Sequence, residues 1–123
     1  MREIIFRALC STTKKWVTGY FCKDYSGTAF ITSLDGTETK QVDAETLGQY
    51  IDHLDRGRYR FYEGDILINP QGEKGVIVYY EAGFYLLCPR KSGQSFYVAL
   101  TAGFLKNKTQ VGTIHDHKLE ATV

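Results

Sequence analysis

From Tyr59 to Cys88 the chain reads Tyr59-Arg60-Phe61-Tyr62, Glu63-Gly64-Asp65, Ile66-Leu67-Ile68, Asn69-Pro70-Gln71-Gly72, Glu73-Lys74, Gly75-Val76-Ile77-Val78-Tyr79-Tyr80, Glu81-Ala82-Gly83 and Phe84-Tyr85-Leu86-Leu87-Cys88. Apolar runs rich in Val, Ile, Tyr and Phe alternate with short clusters of Gly, Asn, Pro and acidic residues. The first kind fits a pleated, half-buried surface, and the second supplies the backbone angles of tight turns. The stretch predicts three strands joined by glycine-bearing turns, in a compact sheet curved enough to close on itself. The expectation for the C-terminal half is a partly open SH3-like barrel.

Toward the C-terminus, Ser95 to Leu100 reads as another strand, Thr101 to Leu105 as a turn or short helix, and Gln110 to Ile114 as a last strand before a polar tail. Toward the N-terminus, Ile4–Leu9, Trp16–Phe21 and Thr28–Thr32 read as a meander, with turns at Ser11–Lys15, Asp24–Gly27 and Asp35-Gly36. The one helical signal is Asp43 to Ile51, where Asp43 can cap and Leu47, Tyr50 and Ile51 share a face; Gly48 and the short length limit it to one or two turns. The chain is therefore expected to be mainly β, with small, strongly curved antiparallel sheets and at most one short helix. It reads as a single domain, 1–123, that divides at the polar segment His53–Arg58 into an N-terminal β subdomain, 1–50, and a C-terminal barrel-like subdomain, 58–119.

At 123 residues and 14.0 kDa the chain can bury a core without metals or disulfides. Its 43% hydrophobic and 24% charged residues exclude a disordered, collagenous or long coiled-coil protein. Fifteen Lys and Arg against fourteen Asp and Glu leave no field of one sign, so nucleic-acid binding would need a local patch. Cys10, Cys22 and Cys88 are odd in number and widely spaced, which suits reduced thiols better than a disulfide framework or a zinc site. The charged start builds no apolar run of signal-peptide or membrane-helix length, so the chain is expected to stay in the cytoplasm, away from membranes. No cofactor is expected.

Arg2-Glu3-Ile4 with Phe6-Arg7-Ala8, Lys15-Trp16-Val17, Gly48-Gln49-Tyr50, Tyr62-Glu63-Gly64-Asp65-Ile66, Gly75-Val76-Ile77-Val78-Tyr79 and Val111-Gly112-Thr113-Ile114-His115-Asp116 occur in an order that resembles the YopX family of phage and prophage proteins. The chain departs from the family pattern at Tyr50-Ile51-Asp52-His53-Leu54, at Asp55-Arg56-Gly57-Arg58 and at Gly112 to His117. The resemblance implies a small, β-rich, intracellular protein encoded by a bacteriophage or prophage. It carries over no catalytic residue, because the family has no established activity. The function expected on this basis is that of a non-enzymatic accessory protein acting through a host or phage protein partner, with a homo-oligomer as a further way to cover exposed strand edges.

Read residue by residue, Glu63-Gly64-Asp65 is expected to be a structural turn: glycine supplies a backbone angle closed to other residues and Asp65 accepts turn amides. A carboxylate pair for acid and base chemistry is the alternative. His115 and His117, at i and i+2, lie on one face of an extended chain but make a pair and not a metal site; further ligands would have to come from His53, Cys22 or Cys88. Gly72-Glu73-Lys74-Gly75 lacks the phosphate-loop pattern, no nucleophile signature is present, and no catalytic residue is assigned. Arg56, Arg58 and Arg60 at period two would line one strand face with aromatic reach from Tyr62, and Lys106, Lys108 and Lys118 could extend the patch. A nucleic-acid-binding module using that Arg/Tyr surface is the alternative function, and a small metal-dependent hydrolase the second alternative.

Overall fold

The computed structural model describes residues 3–55, 57–90 and 93–116, and among these described residues there are eleven strands and almost no helix. Two compact units divide at Asp52/His53. In the first, β1 (Phe6–Leu9), β2 (Trp16–Lys23), β3 (Ala29–Ser33) and β4 (Thr39–Gln41) form an antiparallel meander, and β5 (Gly48–Leu54) pairs with the free side of β1. Period-two burial follows from that pairing: Ala8, Ala29, Ile31 and Val42 are buried together, with Phe6, Val17, Phe21 and Leu47 against them. The opposite face of the ladder carries Arg7, Trp16, Thr18, Tyr20, Thr32 and Thr39, and of these Arg7 is itself buried, its guanidinium 4.6 Å from the Trp16 ring centroid.

The expected helix at 43–51 is a single 3₁₀ turn, Ala44–Thr46, followed by β5. Asp43 makes no capping bond; its carboxylate accepts instead from Ser11 Oγ at 3.1 Å and Lys14 Nζ at 2.9 Å. Thr46 Oγ1 accepts the Leu9 amide at 2.8 Å, tying the turn to β1 and leading Gly48 and Gln49 into register with Arg7 and Phe6. Tertiary strand pairing thus overrides a weak helical pattern interrupted by glycine.

The second unit holds the end of β5, then β6 (Arg60–Tyr62), β7 (Asp65–Ile68), β8 (Lys74–Tyr80), β9 (Gly83–Pro89), β10 (Ser95–Ala99), the one-turn helix α1 (Ala102–Leu105) and β11 (Thr109–Thr113). The antiparallel sheet runs β10-β9-β8-β7-β11. Leu67, Ile77 and Leu86 share one face by register and are buried. The expected SH3-like barrel and strong curvature do not occur. The two ends of the sheet, β10 and β11, stay at opposite edges, and neither sheet of the protein is closed or strongly curled. Among the described residues, no helix is long and apolar enough to cross a membrane.

Candidate nucleic-acid interface

The arginine stretch singled out in the sequence is a turn before it is a strand. Asp55 organises it, donating its amide to the Tyr59 carbonyl at 2.8 Å while its carboxylate Oδ1 accepts the Tyr59 amide at 2.9 Å. Arg58 sits in that turn with a left-handed φ of 66° and is exposed. Since β6 starts only at Arg60, Arg58 and Arg60 do not alternate along one strand face. Tyr62 is only 6% exposed and offers no ring to a ligand. Tyr59, 69% exposed, is the aromatic that stands beside Arg58 at the surface. Arg56 lies outside the described residues.

At Glu63-Gly64-Asp65, Gly64 adopts φ 93°, its amide donates to the Ile77 carbonyl at 2.8 Å, and its carbonyl accepts the Ile114 amide at 3.0 Å. Asp65 is fully buried and accepts the Tyr62 amide at 2.8 Å and Gln110 Nε2 at 3.4 Å. His115 is exposed and its amide donates to Thr113 Oγ1, while His117 lies outside the described residues. His53 stacks on Phe61, ring centroids 5.9 Å apart. No group of three His, Cys, Asp or Glu side chains converges as a metal site among the described residues. Cys10 is buried, and the neighbouring hydroxyls of Thr12 and then Thr13 lower its thiol to about 6.

The aromatic surface lies elsewhere, on β8, β9 and β10. The β8–β9 connection is two residues, Glu81 and Ala82, both left-handed at φ 46° and 66°, so Tyr80 faces Gly83 across the ladder and Val78 faces Tyr85. On the other side of β9, Tyr97 faces Leu87 and Ala99 faces Tyr85. Residues opposed across a ladder share a sheet face, as do residues two apart along a strand. Tyr80, Tyr85 and Tyr97 therefore emerge on one face. Tyr80 and Tyr97 reach across β9 and stack, centroids 4.3 Å apart and planes 6° apart, and Tyr85 packs edge-on to both at 6.3 and 6.2 Å. Tyr80 and Tyr97 remain 42% and 44% exposed. A half-exposed π-surface on an open sheet can extend a stack with a planar ligand.

No family model matches the chain, and no curated protein matches it. The YopX resemblance, and the phage or prophage setting that came with it, thus find no support, and the accessory role expected from them rests on nothing further.

Proposed function

We propose that this protein binds single-stranded nucleic acid through the tyrosine face of its second unit, with Tyr80, Tyr85 and Tyr97 as the base-stacking platform. The observation that carries the reading is the stacked, half-exposed Tyr80–Tyr97 pair held edge-on by Tyr85. Every base has a π-face, so stacking on such a platform tolerates sequence, and unpaired bases reach it where a duplex hides them. Residues 53–123 contain nine Lys and Arg against seven Asp and Glu, a small cationic surplus that supports contact with phosphates without dominating it. Exposed Arg58 beside Tyr59 adds a guanidinium and a ring to the same unit. The three free cysteines suit a reducing compartment, and we place the protein in the cytoplasm on that ground.

Titration of fluorescently labelled single-stranded and duplex oligonucleotides over a salt series tests the reading. Single strands are expected to bind more tightly than duplex, with a shallow salt slope because stacking carries more of the affinity than charge. Tyr97→Ala is expected to weaken single-strand binding about tenfold, within the ~1–3 kcal/mol that one stacked base contributes. Absence of binding to any oligonucleotide at low salt would remove the proposal and return the tyrosine face to a protein partner or a second copy of the chain.

A further inference from the structure

The opposite face of the same sheet holds a cleft of about 150 Å³ that nothing above assigns. Its floor is apolar. Leu86 and Cys88 of β9 face Val98 and Phe96 of β10 across the ladder, and all four line it. Burial pushes the Cys88 thiol up from its ordinary range, the mark of a poorly solvated floor and of a group that stays neutral. Two cations are held over rings in its walls. Arg90 Cζ lies 4.2 Å from the Phe96 centroid, and Lys108 Nζ lies 4.1 Å from that of Phe104, which α1 brings to the cleft.

The two cations differ in how their charge is met. Arg90 Nη1 stands 3.6 Å from Glu73 Oε2. Lys108 is only 8% exposed, and its ammonium donates to the Phe104 carbonyl at 3.1 Å and to Asn107 Oδ1 at 2.8 Å, both neutral acceptors. An ammonium carries three N–H donors, so two bonds leave one for a further acceptor. Glu73 also lines the cleft, but its carboxylate is engaged by Arg90 and by Asn69 Nδ2, so a largely buried cation touched by neutral acceptors and a ring gains from an anion placed beside it. The apolar floor asks for something different, since a bare hydrated ion leaves it uncovered. A dry cavity of about this volume takes up one benzene ring.

We propose that this cleft is a binding site for a small anion carrying a single planar ring, the anionic group on Lys108 and the ring over Leu86, Cys88 and Val98. Carboxylate and phosphate ester are the two sources of that chemistry. The site stands independently of the tyrosine face, which lies on the other side of the sheet.

Titration of the isotopically labelled full chain, followed through backbone amide shifts, tests it with four probes: benzoate, uridine 5′-monophosphate, benzyl alcohol and inorganic phosphate. At least one of the two ring-bearing anions is expected to shift the amides of Cys88, Phe96 and Lys108, with a Kd about tenfold or more below that of the neutral ring and of inorganic phosphate. Benzoate alone binding assigns a carboxylate ligand, and the nucleotide alone a phosphate ester. Lys108→Met is expected to weaken the binding about tenfold, the scale of one charge-assisted hydrogen bond. Should Lys108→Met fail to fold, Arg90→Met supplies the second variant, with an expected loss of about threefold through the weakened positive potential. Tyr80→Ala is expected to leave the ring-anion affinity unchanged while weakening oligonucleotides. Benzyl alcohol binding as tightly as benzoate and the nucleotide, or neither anion moving those amides, overturns the assignment.

Discussion

A Cβ at Gly83 would stand 3.2 Å from Cε2 of Tyr85 and 3.6 Å from its Cζ, so the ring that braces the Tyr80–Tyr97 stack occupies space left open by a missing side chain. Gly83→Ala is therefore expected to push the Tyr85 ring off its edge-on packing, at a cost of about 1 kcal/mol from overpacking. The near-ultraviolet tyrosine signal should change, and single-strand affinity should fall several-fold while far-ultraviolet strand content is kept. A Gly83→Ala variant with unchanged tyrosine signal and unchanged affinity would show that Tyr85 does not depend on this space.

The hairpin that sets the tyrosine register carries avoidable backbone strain. Glu81 and Ala82 both occupy the left-handed region, at φ 46° and 66°, in a two-residue turn of the kind that favours Asn-Gly. Left-handed backbone costs an ordinary L-residue roughly 1–2 kcal/mol, of which the extra freedom of glycine in the unfolded chain returns part. The double substitution Glu81→Asn with Ala82→Gly is expected to stabilise the protein by about 1 kcal/mol, read as a higher urea midpoint at unchanged slope. A lower midpoint would mean that the native side chains at 81 and 82 contribute more than their backbone angles cost.

That hairpin also marks where the sequence stops being readable. The strands on either side of it follow from their aromatic and β-branched composition, and the glycine in Glu81-Ala82-Gly83 signals a turn. Because glycine is the residue that tolerates left-handed angles, the natural reading puts Gly83 inside a three-residue turn. The left-handed angles fall instead on Glu81 and Ala82, and Gly83 becomes the first residue of β9. A one-residue change of register sends every side chain to the other face, so the convergence of Tyr80, Tyr85 and Tyr97 is invisible until the turn is known. At Arg58 the failure has the same origin, a left-handed residue that breaks the period-two alternation on which the arginine face was built. The barrel failed for a different reason. Glycine-bearing turns encode the hairpins between neighbours, whereas closure depends on where β11 pairs after α1, and it pairs with β7 at the far edge of the sheet instead of with its chain neighbour β10, a choice no local pattern specifies.

Asp65 offers a direct test of the turn that leads into β7. Its buried carboxylate accepts the Tyr62 amide at 2.8 Å, in a place where water does not replace it. Asp65→Ala strands that amide and is expected to cost ~1–3 kcal/mol, the penalty for a buried donor without an acceptor. Asp65→Asn keeps an oxygen in place and is expected to recover part of the loss. Chemical denaturation of the two variants beside the parent chain measures both, and an Asp65→Ala protein as stable as the parent would refute the assigned role.

In the first unit the β3–β4 turn makes a prediction about acid. Ser33 Oγ donates to Asp35 Oδ1 at 2.6 Å, and the Thr37 amide and hydroxyl donate to the same oxygen at 3.0 and 2.7 Å. These bonds, the Ser33 hydroxyl first, lower the Asp35 carboxyl to about 2. Asp24 is lowered in the same direction, chiefly by the Ser26 hydroxyl, and Asp43 chiefly by Lys14. A carboxyl whose folded pKa lies below its unfolded value of about 3.9 binds its proton less readily in the native state, so the unfolded chain holds more protons in that range. The stabilisation is fully present above pH 4 and is lost as the pH falls from about 4 through the folded value near 2. The urea midpoint is expected to be flat in pH between 5 and 7 as regards these groups and to drop below pH 4. Ser33→Ala, which removes the strongest donor to Asp35, should make the drop shallower. An equally steep acid limb in Ser33→Ala would place the acid-sensitive carboxylates elsewhere in the chain.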